Sequence, residues 1–333
     1  MCICVDAAMN GQFAKTSFWM SVNFISCVWI IWATKICFQH GFKYGTFLTA
    51  FHFLLTYIGL EVSAVCHFFE RRRLPILGVL PLSIAFCGFI VFNNLSLEYN
   101  TIGIYQVTKV LTTPVIVLIN IVFYKKWLSF GETWALIFVC AGVIVATEAN
   151  LELNTAGIVT GLLGVLSSSI YQVWVETKQH DFACSPAQLL YYQAPISLLL
   201  LLPVIALTEP FSEIVRFTYT PVICASILGS GILAFLVNLS TYMVIGSTSP
   251  LTYNMIGHSK LVIIILSSFL VFHEKQSWIG LVGVASAVIG IVAYAQIRML
   301  NVVTTEKPTE YELCEEQKPL IDALDSDTTA DDV

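Results

Sequence analysis

The sequence predicts an all-α, polytopic membrane protein of ten transmembrane helices, arranged as two inverted five-helix repeats. Three observations predict it. Of the 333 residues, 57% are hydrophobic and only 11% charged, where a soluble domain carries about 25% charge. Apolar stretches of about 20 residues, enough to cross a hydrocarbon core of about 30 Å, recur along almost the whole chain. Landmarks of the first half also return in the second at a fixed offset.

Spans are expected near 17–36, 44–66, 74–97, 101–124, 130–147, 155–175, 186–208, 220–245, 249–272 and 276–297. This divides the chain into an N-terminal segment (1–16), a ten-helix domain (17–298, repeats about 17–147 and 155–297) and a tail (299–333). An even number of spans places both termini on one side. Lys15, Arg71, Arg72, Arg73, Lys125, Lys126, Lys178, Arg298, Lys307 and Lys318 share that side, against Lys35, Lys43, Arg216 and Lys275 on the other. Lys and Arg collect in cytoplasmic loops, so the termini are expected in the cytosol. Residues 1–16 show no basic n-region, apolar core or small-residue cleavage site, so the first span is the expected targeting signal. Residues 306–333 hold ten acids against two lysines, and a segment so acidic and so poor in apolar side chains is expected to be a disordered cytosolic tail.

The repeat is read from Asn94-Leu95-Ser96 in the third span and Asn238-Leu239-Ser240 in the eighth, 144 residues apart, an offset shared by Trp134 and Trp278. Each repeat unit holds five spans, an odd number, so the second copy enters the membrane from the opposite side. Inverted repeats of this kind build carriers whose substrate sits near the midplane, between halves that rock to face each side in turn. The two triplets match the glycosylation sequon, yet they lie in or beside apolar spans, so their asparagines are expected to hydrogen-bond across helices. Gly157, Gly161, Gly164 and Ser168 line one face of the sixth span and Gly283, Ala287 and Gly290 recur along the tenth, a pattern of close helix packing.

Lys109 and Lys260 stand well inside the fourth and ninth spans. A lysine at the bilayer centre costs about 2.5–3.5 kcal/mol on insertion scales, so each is expected to face a polar cavity and to have a partner. Glu61, the carboxylate clearly within a span, lies nearer the cytosolic end, within reach of Arg71. One acid cannot neutralise two lysines, so the counter-charge is expected to arrive with the substrate, as phosphate oxygens. Tyr105 precedes Lys109 by four residues and Tyr253 precedes Lys260 by seven, which puts each tyrosine on roughly the face of its lysine. Gln106, Asn94, Asn238, Asn254, Ser259, Gln172, Tyr191, Tyr192 and Gln193 add groups suited either to a sugar and base or to interhelical hydrogen bonding. His52 and His258 could relay protons, but read rather as structural histidines with satisfied rings. No catalytic triad, metal-ligand spacing or phosphate-binding glycine loop fits its context, so neither an enzyme nor a cofactor is expected. The ten cysteines sit mostly in apolar spans and read as buried thiols.

The run Asn93-Asn94-Leu95-Ser96-Leu97 through Thr101-Ile102-Gly103-Ile104-Tyr105-Gln106-Val107-Thr108-Lys109, followed by Thr113-Pro114-Val115, resembles the fourth-span signature of the triose-phosphate translocator and nucleotide-sugar transporter branch of the drug/metabolite transporter superfamily. In the second half, Leu189-Leu190-Tyr191-Tyr192-Gln193-Ala194-Pro195, Val237-Asn238-Leu239-Ser240, and Thr248-Ser249-Pro250-Leu251-Thr252-Tyr253-Asn254 through Gly257-His258-Ser259-Lys260 are most similar to the E-subfamily of solute carrier family 35 and to plant carriers of UDP-sugars. The resemblance covers roughly residues 17–298. It implies ten helices with cytosolic termini, residence in the Golgi membrane, and antiport of a nucleotide sugar against a nucleoside monophosphate. It also assigns Lys109 and Lys260 to the phosphates. Leu261 stands where triose-phosphate translocators carry arginine, and Phe235-Leu236-Val237-Asn238 and Gly257-His258-Ser259-Lys260 depart from the GDP-mannose motifs. Both departures favour a UDP-sugar.

Two other classes stay open on the residues alone: a carrier of metabolites without phosphate, and a non-transporting scaffold or receptor. The partners implied are a small-molecule substrate and membrane lipid, with a homodimer left open and no nucleic acid. Glu316-Gln317-Lys318-Pro319-Leu320-Ile321 has the form of an acidic-dileucine signal, which would direct the chain to endosomes or lysosomes instead.

Overall fold

The computed structural model describes residues 2–99, 102–146, 155–260 and 278–305, which form helices and the turns between them, with no strand among the described residues. In chain order these are α1 (Cys2–Gln39), α2 (Gly45–Val65), α3 (Ile76–Tyr99), α4 (Ile102–Tyr124), α5 (Phe130–Ala146), α6 (Thr155–Asp181), α7 (Pro186–Thr208), the short α8 (Phe211–Arg216) and α9 (Pro221–Ser247). They are followed by α10, described over 250–260, and α11 (Trp278–Thr305). Seven of the described helices are long and apolar enough to cross a membrane, and α4 and α5 contribute shorter apolar stretches, Thr108–Tyr124 and Phe130–Val145. Large side chains such as Trp29, Phe123, Leu199 and Ile279 are exposed on the outside of the bundle, as a lipid-facing surface requires.

The helix boundaries depart from the expected spans at several points, and α6 runs on to Asp181. The helix of the first span already begins at Cys2, within the segment set apart as an N-terminal extension. α8 interrupts the connection between the seventh and eighth spans, and α11 runs on to Thr305. The later part of the ninth span and the acidic tail lie outside the described residues.

Local chemistry sets several starts. Ser185 accepts from Gln188 N while Gln188 reaches back to Ser185 N, and Pro186 opens α7. This capping box satisfies two backbone donors and uses a residue that needs no N–H of its own. Ser129 and Glu132 repeat the device at α5. At α2 the carboxylate comes from another part of the chain: Glu209 accepts from Thr46 N at 2.6 Å and Phe47 N at 2.9 Å, placing an anion on the positive end of the helix.

Packing joins α5 to α11, α3 to α6, α1 to α9, and α2 to both α7 and α9. The small-residue seams behave as expected. A Cβ on Gly142 would lie 2.5 Å from Ala287 N, and one on Gly290 would lie 2.8 Å from Ala135 O, so α5 and α11 touch backbone to backbone. Gly161 and Gly164 give α6 the same closeness to α3 and α4, where an added Cβ would meet Ser96, Thr108 and Asn93.

Candidate functional site

Lys260 is half-buried on α10, and its ammonium donates to Asn23 Oδ1 on α1 at 2.7 Å. Asn23 is fully buried. Its Nδ2 donates to Ser240 Oγ at 3.0 Å and to Thr241 Oγ1 at 3.1 Å on α9. Both amide protons are thereby used on hydroxyls, which turns the carbonyl oxygen toward the cation. Lys260 is therefore held by a dipole rather than by an anion, and its positive charge is not cancelled at this contact.

Two further contacts fix α10. Thr113 Oγ1 on α4 and His258 Nε2 lie 2.9 Å apart. Asn254 donates to Gln172 Oε1 on α6 at 2.7 Å, and Gln172 in turn donates to Ser168 Oγ at 3.2 Å. The helix that carries Lys260 is thus tied to α1, α4 and α6 by neutral polar groups, the arrangement expected where hydrocarbon leaves no other partner. Tyr253 hydrogen-bonds with Thr241, so it joins the group of residues around Asn23. Lys109 lies on α4 one turn before Thr113 and is exposed.

The other residues singled out by sequence are distributed between site and scaffold. Asn238 donates to Thr56 Oγ1 at 3.0 Å, binding α9 to α2. Its counterpart Asn94 is exposed on α3, while the neighbouring Asn93 bonds within its own helix to Phe89 O. Cross-helix bonding thus holds for Asn238, and Asn94 is solvent- or lipid-facing. Tyr192 is half-buried with its ring 5.6 Å from that of Tyr191. Gln193 is buried and accepts from Tyr242 Oη at 3.0 Å. Tyr105 and Gln106 fall on α4, and their side chains lie outside the described residues. His52 pairs with Ser230 Oγ at 3.0 Å, so both histidines have hydroxyl partners.

Glu61 is engaged away from the lysines. It accepts from Tyr57 Oη at 2.7 Å, from Tyr191 Oη and from Arg71. Reading the sequence alone missed Asn23 and Thr241, and named Thr113 only within a motif. The available signal was an uncharged polar side chain at depth in an apolar run, as with Asn23 between Val22 and Phe24.

Chemically, an ammonium presented by a carboxamide can bind an anionic oxygen without first breaking an ion pair. The surrounding hydroxyl, amide and phenol groups suit a polar, partly aromatic ligand.

Comparison with known proteins agrees with this architecture. Residues 15–295 match the model of the Triose-phosphate Transporter family. UDP-xylose transporter 2 of Arabidopsis thaliana is 32% identical over 299 residues, covering 87% of this chain and 83% of that protein. UDP-rhamnose/UDP-galactose transporter 2 of the same plant is 30% identical, covering 83% and 81%. A solved crystal structure shares the fold with a TM-score of 0.69 at 13% identity, spanning 86% of this chain and 98% of its own. The chain belongs to the Triose-phosphate Transporter family and is a multi-pass membrane transporter, not an enzyme.

Proposed function

We propose that the protein is an antiporter that exchanges a UDP-sugar for a nucleoside monophosphate across the Golgi membrane, by alternating access, with both termini in the cytosol. Its ten helices form two inverted five-helix repeats, in which α1 to α5 correspond to α6, α7, α9, α10 and α11. The packing supports this frame: α1 meets α9 as α6 meets α3, α2 meets α9 as α7 meets α3, and α2 meets α7 and α5 meets α11 as self-equivalent pairs.

The observation that carries the reading is the neutral partner of Lys260, together with the commitment of Glu61 to Arg71 and two tyrosines. In the ten-helix topology α4 and α10 run in opposite directions. Lys109 comes four residues before Thr113 and Lys260 two residues after His258, so both lie on the same side of the Thr113–His258 contact. At 1.5 Å per residue they stand about 6 Å and about 3 Å from it, nearly level in the membrane. A diphosphate bridging Lys109 and Lys260 fits this placement, with base and sugar among Tyr105, Tyr253, Gln106, Asn94, Asn238, Gln172 and Tyr192. Exchange then has a physical cause. Closing an empty carrier brings two ammonium groups together in low dielectric, and a bound phosphate removes that repulsion, so reorientation needs cargo in both directions.

The names of the relatives favour UDP-sugars over triose phosphates. Proteoliposomes preloaded with UMP should take up labelled UMP, with UDP-xylose and UDP-galactose competing better than GDP-mannose or triose phosphate. Uptake that no nucleotide or phosphate ester inhibits would instead assign the chain a cargo without phosphate.

A further inference from the structure

A cavity of about 670 Å³ opens at one end of the bundle, between α1, the α6–α7 turn and the last turn of α9. Its size falls within the range of about 300–1,000 Å³ typical of small-molecule sites. The face it occupies carries Arg72, whose guanidinium donates to Ala183 O on the cavity wall. In the proposed topology this is the cytosolic face.

Its charge is one-sided. Among the described residues Lys15 and His180 line it, and no aspartate or glutamate does. Asp181, next to His180 in the sequence, is paired with Lys178 at 3.1 Å. Burial pushes the Cys184 thiol up while the charge of Arg72 pulls it down, so the field of that arginine also reaches the wall. Trp19 supplies an aromatic surface beside Lys15.

The inner end of the cavity adjoins the Lys260 group. Trp19 is one helical turn, about 6 Å, from Asn23 on α1. Met243, also in the lining, is two residues from Thr241 on α9. Asn23 and Thr241 are the residues that hold or orient the contact to Lys260.

We propose that this cavity is a second, shallower binding site for the phosphate and base of a nucleotide, from which the anion passes to Lys260. The site rests on the carrier reading above. Clefts lined by one sign of charge concentrate ligands of the opposite sign, and an indole face with flanking cations suits a nucleobase and its phosphate.

Native Cys184 lies in the wall and reports occupancy. The full-length protein in phosphatidylcholine proteoliposomes is reacted with a maleimide, and modification of Cys184 is followed by mass spectrometry with and without UMP. UMP should slow this reaction at least about threefold in the wild type and in Lys260→Ala, and not in Lys15→Gln/His180→Gln, the variant expected to lose the charge that concentrates UMP. Protection lost in Lys260→Ala, or kept in the double variant, overturns the proposal. If UMP exchanges normally but never protects Cys184, the cavity site fails and the carrier stands. If UMP protects Cys184 without being exchanged, the cavity site stands and the carrier reading fails. Protection that requires an anionic lipid and never appears with UMP assigns the cavity to headgroups and overturns its role as a nucleotide site.

Discussion

A lysine inside a bilayer persists only where something solvates its charge, and for Lys260 that role falls to the carboxamide of Asn23. On the proposed reading the choice of amide over carboxylate matters, because an acid at this position would cancel the charge before cargo arrived. Asn23→Asp is therefore expected to keep the fold and weaken cargo binding. The carboxylate would compete with a charge-assisted bond worth about 1.5–3 kcal/mol, or about ten- to hundredfold in affinity. Equilibrium binding of UMP to the purified variant, alongside its thermal unfolding midpoint, checks both parts. Unchanged affinity would show that Lys260 does not bind the anion. The lysine itself was legible in the sequence, since a charge in an apolar run stands out on insertion cost alone. Asn23 was not, because a carboxamide carries no formal charge and its partner lies 237 positions away.

At the scale of helices, the seam between α5 and α11 tolerates no side chain at its closest points. Adding one at Gly142 forces a methyl group to within 2.5 Å of backbone, a clash that only helix separation relieves. Gly142→Ala should lower stability by about 1–3 kcal/mol, the usual range for overpacking, whereas Gly229→Ala, which meets open space, should change it little. Thermal unfolding in detergent of the two variants makes the comparison. Gly283, Ala287 and Gly290 announced this seam through their spacing, but not which helix fills it. The same limit applied to α2, whose N-terminus is capped by Glu209 from beyond α7. Caps built from neighbouring residues, such as Ser185 with Gln188, are readable from local sequence, while a cap delivered by tertiary folding is not. The small α8 escaped notice because six residues carry too little periodicity to mark a helix.

For the whole molecule, the all-helical, polytopic character followed from the physics of the bilayer, which demands long helices and tolerates few charges. Sidedness gives a direct check through native cysteines. Cys66 and Cys224 are both exposed, and the proposed topology puts them on opposite faces of the membrane. In sealed vesicles with the cytosolic face outward, an impermeant maleimide should modify Cys66 at once and Cys224 only after permeabilisation. Equal labelling of both in intact vesicles would contradict the ten-helix arrangement. In the proposed arrangement Lys109 and Lys260 stand level, although they sit in different proposed repeats. The central claim, that these two cations receive the phosphate of the cargo, is tested most directly by UMP exchange in proteoliposomes reconstituted with Lys109→Ala or Lys260→Ala. Each variant, inserted and folded like the wild type, is expected to lose at least about tenfold in exchange rate at low substrate concentration. Near-normal exchange by either one would contradict the account.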